Sequence, residues 1–333
     1  MKNKIILSLG IFIFIFILSG VLFYNHLFGA PEKNAEPERF IVSLNETKED
    51  AVQKLSAGGF IKSEWGFKIA LGVSKIRPGG YKISKSQNVW QLAKALKEPY
   101  MEWVIIQEGL RKEQIAEILA EKLDWSSEEK NDWVIKYTAE KPDYSEGVYF
   151  PDTYLISKDE SPEDIAKRFI NKFNEKFQPY AEKFAKANIK WTTAIKLASI
   201  VQREAAGKSD MPLVAGVLWN RLLKDMRLET DCAIQYARDT SLHYNSGLTK
   251  YLSEGDWWKP ISSADKNISS PYNTYKNKGL PPHPISNPGL DAISAALNPA
   301  KTECLFYLHD TEGEIHCAKT YEEHKANIEK YLR

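Results

Sequence analysis

Trp191–Ala205, WTTAIKLASIVQREA, is the stretch on which the fold turns. Ala194, Leu197, Ala198 and Val201 recur at helical spacing and make one apolar stripe, the mark of a helix laid against a core. Glu204 lies three residues after Val201 and seven after Leu197, which puts a carboxylate on or beside the stripe. Two roles are open to it. It is a helix-end glutamate paired with Arg203 or water, or a partly desolvated carboxyl that keeps a proton near neutral pH and acts as a general acid. Composition does not separate the two.

Outward from that helix, helical periodicity recurs over Lys112–Leu123 (Ile115, Ile118, Leu119, Leu123), Ser126–Thr138, Pro162–Ala187 and Met211–Lys224. Beyond Arg227 the pattern shortens and becomes aromatic and rich in Gly, Pro and Asn, with a hairpin expected at Leu305–Ala318 and a last helix at Tyr321–Leu332. Residues 108–333 are therefore expected to form a larger α+β domain, helices first and then loops and short strands. Ahead of it, 40–107 reads as a small subdomain. It has strands at Phe40–Leu44, Tyr81–Ile83 and Met101–Ile106, and helices at Thr47–Leu55, Ser63–Leu71 and Val89–Leu96. Thr47 with Asp50 three residues on is the capping signal of the first of these helices.

The amino terminus is of another kind. Ile5–Tyr24, IILSLGIFIFIFILSGVLFY, is an unbroken apolar run whose helical length matches a bilayer core. Lys2 and Lys4 precede it, so residues 1–4 are expected in the cytoplasm, 5–24 as a transmembrane helix, and the remainder outside. A cleaved signal peptide would have a shorter apolar core and a small-x-small site; Phe28 stands two residues before Ala30. Residues 30–39, APEKNAEPER, read as a charged linker that lifts the folded part off the membrane. A formal charge of +1 gives no support for a nucleic-acid partner. Cys232, Cys304 and Cys317 have no metal-like spacing, and a hairpin turning at Thr311–Glu314 would not place Cys304 opposite Cys317, so no disulfide framework is expected.

Several segments supply the chemistry around Glu204. EGVYFPDTY (Glu146–Tyr154), NRL (Asn220–Leu222), RLETD (Arg227–Asp231), SPYNTY (Ser270–Tyr275) and GLPPHPISNPG (Gly279–Gly289) combine aromatics, amides, short acids and rigid turns. Sugar sites use that mixture, because ring faces stack on aromatics while hydroxyl and N-acetyl groups need fixed amide and carboxylate partners. Each segment alone also fits ordinary loop chemistry. In this order, together with ASIVQREA, they resemble the endolytic murein transglycosylases of the MltG or YceG-like type. IRPGGYKIS (Ile76–Ser84) with NVWQLAKAL (Asn88–Leu96) resembles the LysM-like segment near the start of such proteins, although a Pro-Gly turn before a strand is also just a turn.

The resemblance implies that Glu204 is the catalytic acid, matching the final acid of the family's helix motif. Many relatives carry a second glutamate two residues earlier, where this chain has Gln202. It also implies that Glu146, Asn220, Asp231, Tyr272, Asn273 and Tyr275 line the groove, although Asn220 or Asp231 could equally cap a helix or brace a loop. The expected reaction is cleavage of peptidoglycan strands without water, leaving 1,6-anhydromuramoyl ends, with no metal or organic cofactor. The implied setting is the outer face of a bacterial cytoplasmic membrane, with peptidoglycan synthases as possible partners. Two rivals stand beside it: a hydrolytic muramidase using Asp231 or Glu146 as a second carboxylate, and a non-enzymatic glycan-binding scaffold.

Overall fold

The computed structural model describes residues 2–138, 144–245 and 256–332; Met1 and Arg333, at the ends of the expected cytoplasmic tail and catalytic domain, lie outside them, as do 139–143 and 246–255. The chain is a mixed α and β protein that divides into two compact units, residues 1–104 with 154–160, and residues 105–153 with 161–333.

The first unit begins with α1 (Lys2–Phe28), within which Ile6–Phe28 has a mean hydropathy of 2.8 and, apart from its last two residues, lies exposed. These residues are long and apolar enough to cross a membrane. The helix runs past Tyr24, where the apolar run read from sequence ends. A sheet follows in the order β1 (Glu38–Val42), β2 (Gly79–Ile83), β3 (Met101–Ile105) and β4 (Thr153–Ser157), with β1–β2 and β2–β3 antiparallel. Between β1 and β2 lie α2 (Lys48–Ala57) and α3 (Glu64–Leu71), and α4 (Val89–Ala95) precedes β3.

Local chemistry sets these boundaries. Thr47 and Asp50 form the expected capping box of α2, Ser63 caps α3 at the Gly66 N–H, and Asn88 with Gln91 caps α4. Phe40, Val52, Leu55, Phe67, Tyr81, Ile83, Leu92 and Leu96 close one core under the sheet, each large apolar side chain contributing about 1.5–3 kcal/mol by leaving water.

Two expectations change in this unit. β4 comes from the YFPDTY region, so the unit does not end at 107 but takes back residues 154–160. The stretch 30–39 is no free spacer: the Glu32 N–H donates to the Lys85 carbonyl, and the Ala35 carbonyl accepts from the Ser84 hydroxyl.

The second unit is built around α8 (Trp191–Glu204), in contact with α7 (Pro162–Lys186), α9 (Met211–Leu223), α10 (Asp231–Asn245) and α11 (Leu290–Leu297). Ala194, Leu197, Ala198 and Val201 are fully buried, as the stripe requires, and so is Ser199. α11, carrying the buried Ala292, Ala295 and Ala296, packs directly on α8, whose own buried residues include Ala194, Ala198 and Ser199. Upstream, α5 (Lys112–Leu123) and α6 (Ser127–Asp132) lead into a single π-helical turn at Trp133–Tyr137. Downstream, the expected hairpin is present as β5 (Phe306–His309) and β6 (Ile315–Ala318), followed by α12 (Tyr321–Tyr331). α10 and α11 were not expected in the stretch read as loops and short strands.

The cysteine expectation is overturned. Cys304 and Cys317 form a disulfide with Cα atoms 5.8 Å apart. Strand register does pair Tyr307, not Cys304, with Cys317. Cys304 lies just ahead of β5, outside the ladder, where the chain is free of the register and crosses over to its partner. Closing this loop should add roughly 3 kcal/mol to stability. Reduction, or Cys304→Ser with Cys317→Ser, is expected to lower the urea midpoint of the second unit's transition accordingly; an unchanged midpoint would contradict it.

Candidate functional site

Glu204 closes α8, because Ala205 turns to an extended conformation while its N–H still bonds the Val201 carbonyl. The following turn is held by Asp210, whose carboxylate accepts from the Ala206 and Gly207 N–H groups and contacts His309 Nε2 at 2.6 Å. Burial alone would raise the Asp210 carboxyl; those donors outweigh it and hold it below its ordinary range. His309 and Tyr307 stand two apart on β5, so their side chains share one face of the strand. With His309 tied to Asp210, Tyr307 is carried to Glu204, and its hydroxyl donates to Glu204 Oε2 at 2.7 Å. The other oxygen, Oε1, accepts the Cys232 N–H at 3.3 Å.

The NRL residues of α9 dock that hairpin. Asn220 Nδ2 donates to the carbonyls of Thr302 and Cys304. Arg221 is buried, donates to the carbonyls of Leu305, Arg227 and Leu228, pairs with Glu229 at 3.2 Å, and lies over the Phe306 ring. Just before them, Trp219 Nε1 donates to the Ala296 carbonyl and ties α9 to α11.

Glu204 opens into a cleft of about 790 Å³, within the usual range for a small-ligand site. Asp231, Tyr275, Tyr307, Arg221, Glu229, Lys266, His309 and His324 also line it. The Tyr275 hydroxyl donates to Asp231 Oδ1 at 2.5 Å, and burial together with that carboxylate pushes the phenol up. Tyr307 is likewise pushed well above its ordinary range by burial and by the charge of Glu204, so it stays a proton donor rather than a base. Cys232, the remaining free thiol, is raised by burial and by Glu204, which removes it as a nucleophile near neutral pH.

Of the residues expected in the groove, Asp231 and Tyr275 join Glu204 in this cleft. Asn220 is a brace for the hairpin, as described. Asn273 is buried and organises its own loop, with Nδ2 on the Lys266 and Ile268 carbonyls and Oδ1 accepting the Tyr275 N–H. It therefore aims Tyr275 without facing the cleft itself. Tyr272 packs its ring on Tyr236, centroids 4.9 Å apart. Glu146 lies in the interior, where its Oε1 accepts the Lys112 N–H at 2.6 Å and Oε2 has no hydrogen-bond partner. Its neighbours Tyr149, Phe150 and Tyr154 are core residues, so the aromatic YFPDTY segment serves packing rather than sugar stacking.

The proline-rich loop is also internal bracing. Asn287 Oδ1 accepts the N–H groups of Gly147 and Tyr149 while its Nδ2 donates to Leu110. Gly147 sits at φ +88° with a Cβ position 2.6 Å from Ile195, so no other residue fits. Ser199 Oγ accepts the Ile285 N–H, and Gln202 Oε1 accepts the Gly289 N–H. An amide oxygen fills that last role as well as a carboxylate would, so Gln202 in place of an acid leaves the scaffold intact. Tyr307 and Arg221 were missed as individual candidates. Arg221 stood inside a quoted motif, whereas Tyr307 had no local signal at all.

The YceG-like family model matches residues 40–330. An endolytic murein transglycosylase of Bacillus subtilis (strain 168) is 31% identical over 304 residues, covering 84% of this chain and 80% of the relative. An endolytic murein transglycosylase of Streptococcus pneumoniae (strain D39) is 34% identical over 188 residues, 56% of this chain but 32% of that longer protein. The crystal structure of a yceG-like protein from Listeria monocytogenes aligns with a TM-score of 0.56 at 26% identity, covering 88% of this chain and 99% of that one.

Glu146 carries a pH signature of its own. Burial first, and then the nearby Glu113 charge, raise its carboxyl well above 4.5. A raised folded-state pKa gives stability that is complete below the unfolded value and is lost as pH climbs through the folded one. Glu146→Gln should therefore fold and show a shallower decline of stability as pH rises above 4.5, read from urea midpoints across that window. An unchanged slope would count against it.

Proposed function

This chain belongs to the YceG-like family, and from that premise we propose that it is a membrane-anchored lytic transglycosylase of peptidoglycan with Glu204 as its one acid and base. The observation that carries this is a cleft carboxylate held on both oxygens, by the Cys232 N–H and the Tyr307 hydroxyl. The names of the relatives from Bacillus subtilis and Streptococcus pneumoniae supply the substrate class and the endolytic mode.

The reaction runs in two proton transfers. Protonated Glu204 gives its proton to the oxygen bridging C1 of N-acetylmuramic acid and C4 of N-acetylglucosamine, and the bond from C1 to that oxygen breaks. The N-acetyl carbonyl of the substrate steadies the oxocarbenium-like centre, as in other substrate-assisted systems. Glu204, now a carboxylate, takes the proton of the C6 hydroxyl as O6 bonds to C1. The products are an N-acetylglucosamine hydroxyl and a 1,6-anhydromuramoyl end, with no water consumed. The two donors steady the carboxylate that the first step creates. The Tyr307 hydroxyl can turn from donor to acceptor when Glu204 is protonated; the Cys232 N–H cannot.

The other acids of the cleft already have partners: Glu229 pairs with Arg221 and Asp231 accepts from Tyr275. Asp231 nevertheless shares the cleft, and that position is what favours hydrolysis as the second reading. The long apolar α1 and the Cys304–Cys317 bridge support a single-pass anchor in the bacterial cytoplasmic membrane with the folded units outside, since disulfides persist in oxidising compartments. The strand–helix–helix–strand order of β1 to β2 supports the LysM-like reading of the small unit. An anchored enzyme of this kind would act on newly made strands beside the synthases that extend them.

Glu204→Gln should keep the fold and glycan binding and lose cleavage by roughly a hundredfold or more. Tyr307→Phe should lower turnover roughly tenfold, the loss of one hydrogen bond to a charged group, with glycan binding unchanged. Both are read by fragment release from purified glycan strands, and undiminished release by Glu204→Gln would overturn the proposal.

A further inference from the structure

Helix α1 does not hand over to a free tether. Its last turn is packed on α3: a Cβ on Gly66 would stand 2.1 Å from the Leu27 carbonyl oxygen, so only glycine permits the approach. Lys62 Nζ donates to the Asn25 carbonyl at 3.4 Å, and Phe28 stacks on Trp90 with centroids 5.8 Å apart. These three contacts hold α3, the residues just ahead of it and α4 at the level where α1 ends.

That level is a membrane boundary. Ile6–Phe28 has 23 residues, roughly 34 Å of helix, against a hydrocarbon core of about 30 Å. At this height α3 turns outward an apolar face that the protein leaves uncovered. Trp65 is 61% exposed and Ile69, one turn on along the same face, 42%. Trp90, the partner of Phe28, is 45% exposed. Lys62 and Lys68 flank them. Tryptophan favours the headgroup zone because its ring is apolar and its N–H polar, and lysine stems lie along apolar surface with the ammonium among phosphates.

We propose that the Trp65–Ile69 face of α3, with Trp90 beside it, inserts into the interfacial zone of the bilayer that α1 spans. This rests on α1 being the membrane anchor inferred above. The small unit is then seated on the lipid and oriented by it.

The test uses the full chain reconstituted in phosphatidylcholine–phosphatidylglycerol vesicles whose acyl chains carry bromine near the glycerol end. The protein has nine tryptophans and none lies in α1, so quenching reports only on tryptophans outside that helix. Brominated lipid should quench part of the emission, and Trp65→Phe with Trp90→Phe should remove at least half of that quenching. Trp65→Phe alone, at a largely exposed position, should remove a measurable share without disturbing the fold. No quenching in the parent protein, or equal quenching in the double variant, would overturn the proposal. So would a Trp65 signal that answers to added glycan strands instead of brominated lipid. Flotation of the vesicles at alkaline pH reads the anchor separately. Protein released there defeats both inferences, whereas protein retained with unaltered quenching defeats only the docking.

Discussion

The Glu204 carboxylate is fixed by two hydrogen bonds whose donors the rest of the second unit holds in place. One donor, the Cys232 N–H, comes from the start of α10, and the other, the Tyr307 hydroxyl, from a hairpin 103 residues along the chain. Neither segment is held there by Glu204 itself. Arg221 and Asn220 clamp the hairpin through its carbonyls, His309 ties it to Asp210 at the end of α8, and the Cys304–Cys317 bridge closes its base. A carboxylate at a helix end would otherwise move freely in water. Here it is fixed in plane by groups that are themselves fixed.

The helix under Glu204 was legible because a buried helix writes its burial into a 3.6-residue period, and Ala194, Leu197, Ala198 and Val201 show it without ambiguity. The caps at Thr47 and Asn88 were legible for a similar local reason. What surrounds the carboxylate was not. Tyr307 is one aromatic on a four-residue strand, and its place depends on a register and a docking that involve no neighbouring residue. The quoted motifs marked the correct region but mixed two tasks. Asp231 and Tyr275 face the cleft, while Glu146, Asn220, Asn273 and Asn287 spend their polar groups on backbone inside the fold. Amides and acids beside rigid turns serve either purpose, and only the direction of the side chain tells them apart.

Two further differences have the same origin. Strand register does not decide which cysteines meet, because Cys304 stands outside the ladder. Residues 30–39 are as polar as a linker should be, yet their backbone is bonded to the loop at 84–86, a contact that composition does not record. In each case a non-local contact overrode a sound local rule.

The central claim is that one carboxylate serves both proton transfers and that the substrate's own C6 hydroxyl takes the place of water. Digestion of purified glycan strands in water enriched in oxygen-18 tests this directly by mass analysis of the new muramoyl ends. The account predicts ends lighter by one water than the hydrolytic product and free of the isotope. Reducing ends that carry one heavy oxygen would contradict it and would make Asp231, the other acid of the cleft, the residue to examine next.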